Sequence, residues 1–437
     1  MLEIYEILII TIVFFLTIAV IFLFIKKPKL PIYLMFFFMP FLFLRLEYQT
    51  YQLSVADLIG LLGFLAWSIH FLWQFLNKQT SFKALIFPSW PWYFLFILFC
   101  GLSILNSFDQ GISLEYFLRN IVFSYLIYLF YPINIIKTKQ SFFKIINLIF
   151  ISTSLAAFLS IFYFQKEIAG VIPRITPKEI LGIAPLGYNH NPVAESMLVG
   201  AFFSFLLFLK EKKNPNKQKI VLLFTLLQLL ILILTFSRSA WLALILGVFV
   251  YILLEYRKYL KKIILISLII TLILSPLIYL MLKLSTSSIA SASDQKRLFF
   301  IEKSLELFNY HPIIGSGIGT FKEEILHNRF YIMEFGESGT NEAHGVIWKL
   351  LGETGILGVL AYFSVLFVLG LQLLKAKTKS LTFLENHLFS LLLSLLISLT
   401  FFQLFQTNYF NQKMWLPISL MFLAVLLFKS NFKKIRT

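Results

Sequence analysis

The sequence predicts an all-α polytopic membrane protein, with about 12–13 transmembrane helices and one large extracytoplasmic loop containing short helices. Three observations carry this. The 437 residues are 59% hydrophobic, more apolar surface than a soluble domain can hide. The apolar runs are mostly long enough for a helix to cross roughly 30 Å of hydrocarbon. One polar interval alone, 283–343, is long enough to form structure outside a bilayer. The alternating ten-residue segments of a β-barrel are absent.

In chain order the expected spans are 4–25, 31–44, 53–76, 91–105, 112–132, 143–164, 192–209, 219–235, 240–254, 262–282, 344–373, 386–405 and 414–428. The first has no basic residue before it and no small-residue cleavage pattern after it, so it reads as a retained helix. The second is short enough to be re-entrant. Between the sixth and seventh spans, Gly170, Pro173, Pro177, Gly182, Pro185 and Gly187 mark a surface loop. The chain thus divides into N-terminal helices (1–190), helices carrying a Ser-Arg-Ser turn (191–282), the loop (283–343) and C-terminal helices (344–437). No inverted internal repeat is visible.

The net charge of +17 invites a nucleic-acid reading until the charges are located. Lys26/Lys27/Lys29, Lys78/Lys83, Lys137/Lys139/Lys144, Lys210–Lys219, Arg257–Lys262, Lys375/Lys377/Lys379 and the tail Lys429–Arg436 hold 24 of the 38 basic residues. They fall in alternate connectors, which is the positive-inside pattern of a polytopic membrane protein. Membrane lipids are a sufficient partner, and no nucleic acid is implied. Thirteen crossings with these connectors cytoplasmic put the N-terminus outside. The single Cys100, in an apolar run, excludes disulfides and thiolate metal sites.

Within the long interval, Leu298, Ile301, Leu305 and Phe308 recur at helical spacing over 295–309, and His311-Pro312 stops that helix. Gly315-Ser316-Gly317-Ile318-Gly319-Thr320 then forms a tight turn. No strand precedes these glycines and no Gly-Lys-Ser/Thr follows, so they are not a nucleotide phosphate loop. A second short helix is expected over Phe321–His327. The interval ends in Thr340-Asn341-Glu342-Ala343-His344, at the start of the next span.

Three residues fall at expected outer ends of helices: Arg238 in the minimal turn Phe236-Ser237-Arg238-Ser239-Ala240, Arg297 near the start of the loop helix, and His344 where the chain re-enters the membrane. Singly, each has a plain role as an interface anchor, a surface charge or a helix-start residue. Together they suit one chemistry. Paired guanidinium forks bind a diphosphate and stabilise charge developing on it, and a histidine accepts the proton of an attacking hydroxyl. Three Asp in the whole chain, with no Asp-x-Asp pair, argue against a hard-cation site, and His311, His327 and His344 lack zinc spacing. No metal or cofactor is expected. Lys349 and Glu353, four apart, are read first as a self-satisfying intramembrane ion pair. Their sharper reading is a proton relay or a second donor contact.

Phe236-Ser237-Arg238-Ser239-Ala240-Trp241 resembles the Ser-Arg-Ser/Gly motif of the O-antigen ligase and polymerase superfamily. Arg297 followed by His311-Pro312-x-x-Gly315-x-Gly317-x-Gly319-x-Phe321 is similar to that family's loop. His344 with Glu353, Gly355 and Gly358 resembles its re-entry helix, and Tyr188-Asn189-His190-Asn191-Pro192 its Asn-Pro-Asn segment. The likeness covers roughly 180–360. It implies a metal-independent, inverting glycosyltransferase of the bacterial inner membrane, working on the periplasmic side. An undecaprenyl-diphosphate-linked glycan would be the donor and a lipid A core sugar the acceptor, as in lipopolysaccharide biosynthesis. It further implies Arg238 and Arg297 on the diphosphate and His344 as base. Ser237, Asn189, His190, Asn191, Asn341 and Glu353 are then candidate substrate contacts. Gly345 stands where the family usually has Asn, and Asn341 or Asn189 is the candidate replacement for its hydrogen bond.

The acceptor remains open between a core sugar, another glycan repeat and a protein hydroxyl. A single loop of moderate size favours the ligase. A lipid-linked glycan transporter is the alternative of another class, but it should gather ionisable groups at mid-membrane, whereas these gather at helix ends.

Overall fold

The computed structural model describes residues 2–42, 54–165, 174–179, 184–262, 288–326, 343–407 and 409–428, with isolated residues between 263 and 287. The described part is an all-α polytopic membrane protein, with eight helices long and apolar enough to cross a bilayer. In order the helices are α1 (Leu2–Lys26), α2 (Leu30–Phe38), α3 (Val55–Leu76), α4 (Trp92–Ser103) and α5 (Gln110–Ile135). Then come α6 (Lys139–Ile161), a hairpin of β1 (Phe164–Gln165) and β2 (Arg174–Ile175), α7 (His190–Lys210), α8 (Pro215–Leu234) and α9 (Arg238–Glu255). The last are α10 (Ser288–Tyr310), α11 (Phe321–Leu326), α12 (Val346–Lys377), α13 (Phe383–Gln403) and α14 (Gln412–Phe428). The expected span 262–282 lies outside the described residues.

Helix starts follow local chemistry. Ser54 and Asp57 form a capping box on α3, Asn214 caps α8 with Pro215 in its first turn, and Thr382 caps α13. α2, in the segment read as a short span, has nine residues, about 14 Å of helix, and the chain continues beyond it to Leu42, whose amide donates to the Pro185 carbonyl at 2.9 Å. α5 is π-helical over Phe117–Val122 and Ser124–Phe130, a distortion that periodicity alone does not reveal.

α7 is central, packed against α6, α8 and α13, while α9 lies along α13 and α12 contacts α4, α10 and α13. Lipid tails are as apolar as leucine, so polar groups and close packing hold such helices together. Gln228 of α8 does this at the core: its Nε2 donates to Thr153 of α6 at 3.0 Å, and its Oε1 accepts from Ser204 of α7 at 3.0 Å.

The helix ends sort onto two faces. On one, Glu255 accepts from Lys377 at 2.6 Å, from Asn386 at 2.6 Å and from Ser390, and Lys139 pairs with Glu385 at 3.0 Å. The described Lys-rich connectors of α6, α8, α9 and α12 therefore meet on one side. The starts of α7, α9, α12 and α14 meet on the other.

Candidate active site

The site face is built from the first turn of α7 outward. Asn189 caps α7 by accepting from the Asn191 amide at 2.9 Å. Asn191 in turn accepts from Ser237 Oγ at 2.8 Å, which joins this turn to the α8–α9 corner. That corner is tight because Phe236 takes φ 53°, unusual for a residue with a side chain. It is braced by Thr235 Oγ1, which accepts from the Ser237 amide at 3.3 Å, and by Trp241 Nε1, which donates to the Leu232 carbonyl at 3.3 Å. Arg238, first residue of α9, is exposed on this corner.

Beneath it lies a buried polar group. Lys413 Nζ donates to the Pro192 carbonyl at 2.6 Å and acts electrostatically on Glu195, whose Oε1 accepts from Gln403 at 2.9 Å. Glu195, Gln403 and Lys413 are all fully buried. They tie α7, α13 and α14 together one turn below His190.

α10 links the two histidines. Arg297 is half-buried and exerts a Coulombic effect on the His190 ring. One turn along, Phe300 packs its ring 5.9 Å from that of His344. Phe300 belongs to a small core with Leu307, Phe321, Ile325 and Ala343, which fixes α10 over α11 and the approach to α12. His344 lies in a bend, two residues before the helix expected to begin with it. Gly345 explains the bend. Its φ is 119°, and a Cβ there would come 2.5 Å from the Leu404 carbonyl oxygen. No side chain fits, so the hydrogen bond of an asparagine has no place at this position. Asn341 lies outside the described residues, and Asn189 is occupied in capping α7.

The glycine loop and the kink of α12 are one joint. Gly355 has φ 64° and ψ −168°, so the helix is interrupted there. The Gly352 and Glu353 carbonyls accept instead from the Ser316 and Gly317 amides, both at 3.0 Å. The Ile356 and Leu357 amides donate back to Pro312 and Ile313, at 2.9 and 3.3 Å. Glu353 Oε1 accepts from the Phe321 amide at 3.2 Å and lies 3.7 Å from Lys349 Nζ, with both side chains buried. The ion pair read from the sequence is thus present, and its carboxylate also holds the loop against α12.

A Cβ on Gly315, at φ 77°, would lie 2.3 Å from the Glu353 backbone carbon. Gly315→Ala should therefore cost at least about 1–3 kcal/mol from strain alone. Gly370→Ala meets only ordinary contacts at 3.7 Å and should stay within about 1 kcal/mol of wild type. Thermal unfolding of the purified variants compares the two, and equal melting temperatures would refute the joint.

Ser237 and Asn191 are thus bonded, with Arg238 and His190 their sequence neighbours; Arg297 acts electrostatically on His190, His344 packs on Phe300 of the same helix as Arg297, and Glu353 sits in the loop joint. The motifs did not single out Arg174 or Lys413. Arg174, on β2, also exerts a Coulombic effect on His190. Its signal was a basic residue in a connector between Lys-rich ones. Among the described residues no three His, Cys, Asp or Glu side chains converge on a possible metal position.

Residues 221–363 match the family model described as O-antigen ligase. The matched segment contains Arg238, Arg297, the glycine loop, His344 and the kink of α12, but not the start of α7. No curated protein matches the chain.

Proposed function

The chain belongs to the O-antigen ligase superfamily, and on that premise we propose that it is an inverting, metal-independent glycosyltransferase. It moves a glycan from undecaprenyl diphosphate to a hydroxyl of the lipid A core. Two contacts support this reading, Ser237 beside Arg238 bonding Asn191 beside His190, and Phe300 one turn from Arg297 packing on His344, with an electrostatic effect of Arg297 on His190 between them.

The acceptor oxygen attacks the anomeric carbon as the bond from that carbon to the phosphate oxygen breaks. His344 takes the acceptor proton, while Arg238 and Arg297 hold the diphosphate that leaves with the bonding electrons. Ser237, Asn191 and His190 line the donor between them. The Lys-rich face is the cytoplasmic one by the positive-inside rule, so the site faces the periplasm and the protein resides in the inner membrane.

Purified protein given an undecaprenyl-diphosphate oligosaccharide and lipid A core, with chelator and no nucleotide, should attach glycan to the core as read by mass spectrometry. Lengthened donor chains would make it a polymerase. An intact donor carried across proteoliposomes would make it a transporter.

A further inference from the structure

We infer that Arg174, on the β1–β2 hairpin, is a third guanidinium of the donor diphosphate subsite and acts chiefly on the diphosphate as it leaves. The inference rests on the reading of the site given above, and it concerns a residue outside the 221–363 family match.

The hairpin is anchored. Ile175 is fully buried, and the Thr176 amide donates to the Tyr163 carbonyl at 3.2 Å. β2 also packs against α8, the helix that leads into Ser237 and Arg238. Arg174 is therefore held by a braced strand packed on the helix that leads into the Ser237–Arg238 corner. Arg174 and Arg297, far apart in sequence, both act electrostatically on His190, on the first turn of α7, where the helix dipole adds positive potential.

Two guanidiniums whose fields reach one ring at a helix N-terminus build a positive potential that an anion would offset. Arg174 is half-buried, and its Nε is buried with no hydrogen-bond partner among the described residues. Burial also pushes the Arg174 guanidinium below its ordinary pKa, as expected of a cation held away from water. A phosphate oxygen would satisfy both the donor and the charge.

Charge balance says when it acts. A glycan-linked diphosphate diester carries roughly one negative charge on each phosphorus, and breaking the glycosyl–oxygen bond leaves about one more on the outer phosphate. Arg238 and Arg297 match the bound donor, and Arg174 matches the added charge. A group meeting charge that develops only in the transition state affects kcat more than KM.

The test uses the full-length protein in nanodiscs, with farnesyl diphosphate as a short stand-in for the leaving group. Titration calorimetry should show binding to wild type, weakened by about ten- to a hundredfold in Arg174→Gln and partly restored in Arg174→Lys. In the transfer assay Arg174→Gln should lower kcat with KM within about threefold. Binding by Arg174→Gln as tight as wild type would overturn the role of Arg174 and leave the transferase reading intact. No binding by wild type would overturn the diphosphate reading itself. Both variants should melt with wild type, and the partial rescue by lysine separates charge from folding.

Discussion

Replacing Arg238 or Arg297 by lysine should lower transfer by about two to three orders of magnitude, with the charge kept. Lysine carries a compact ammonium and cannot present two parallel N–H donors to one phosphate, so it binds as a point charge. The surroundings make the substitution informative. Arg238 begins α9 at a corner braced by Thr235, Trp241 and the Ser237–Asn191 bond, none of which involves its guanidinium. Arg297 is held by the Phe300 core, which a lysine one turn away leaves in place. Each variant should therefore fold, and its melting temperature should stay within a few degrees of wild type. Single-turnover rates read by mass spectrometry would measure the loss. Activity near wild type in either variant would remove that arginine from the diphosphate clamp.

His344→Ala should abolish turnover, by about two to four orders of magnitude, while donor-diphosphate affinity changes by less than about threefold. A base contributes to the transition state and little to ground-state binding, so the loss belongs in kcat. The bend that presents His344 is set by Gly345, whose φ of 119° and close approach to the Leu404 carbonyl belong to the backbone, so it should survive loss of the imidazole and its ring contact with Phe300. Calorimetric titration with farnesyl diphosphate, beside the transfer assay, separates the outcomes. If binding vanishes with turnover, His344 is a ligand contact and the base lies elsewhere, with Glu342 the first candidate on sequence position.

Much of this architecture is written locally. A helix buries or exposes its residues according to its own composition, so the apolar runs mark α3, α6, α7, α8, α9 and α13 within a few residues. Caps such as Asn189 and Asn214 act on amides two or three residues away, and they too are legible from order alone. The alternation of Lys-rich connectors foretells that those helix ends share a face, which the Glu255 and Glu385 contacts bear out. Arg238 and His344 stand out because each falls at a helix end inside a short motif of fixed order; Arg297 stands out by its place before the glycine loop, although α10 begins at Ser288 and so holds it in the helix interior and not near the start.

What lay beyond the sequence depends on packing between distant segments. The glycine loop and the Glu-x-Gly-x-x-Gly stretch look like two separate motifs, yet they exchange backbone hydrogen bonds across the Gly355 kink. That exchange exists only once the loop is docked, because each side supplies the partners the other lacks. Gly345 is a departure in sequence and a steric necessity in space, owing to a carbonyl at position 404. Lys413 reads as the edge of an apolar run and proves to be buried against Pro192 and Glu195. Arg174 sits 64 residues before Arg238 and 123 before Arg297, and no periodicity connects such positions. Composition and caps thus determined the helices, their rough ends and the polarity of their connectors. Which charges share a site was decided by helix packing, since electrostatic and hydrogen-bonding reach is a few ångströms through space and takes no account of separation along the chain.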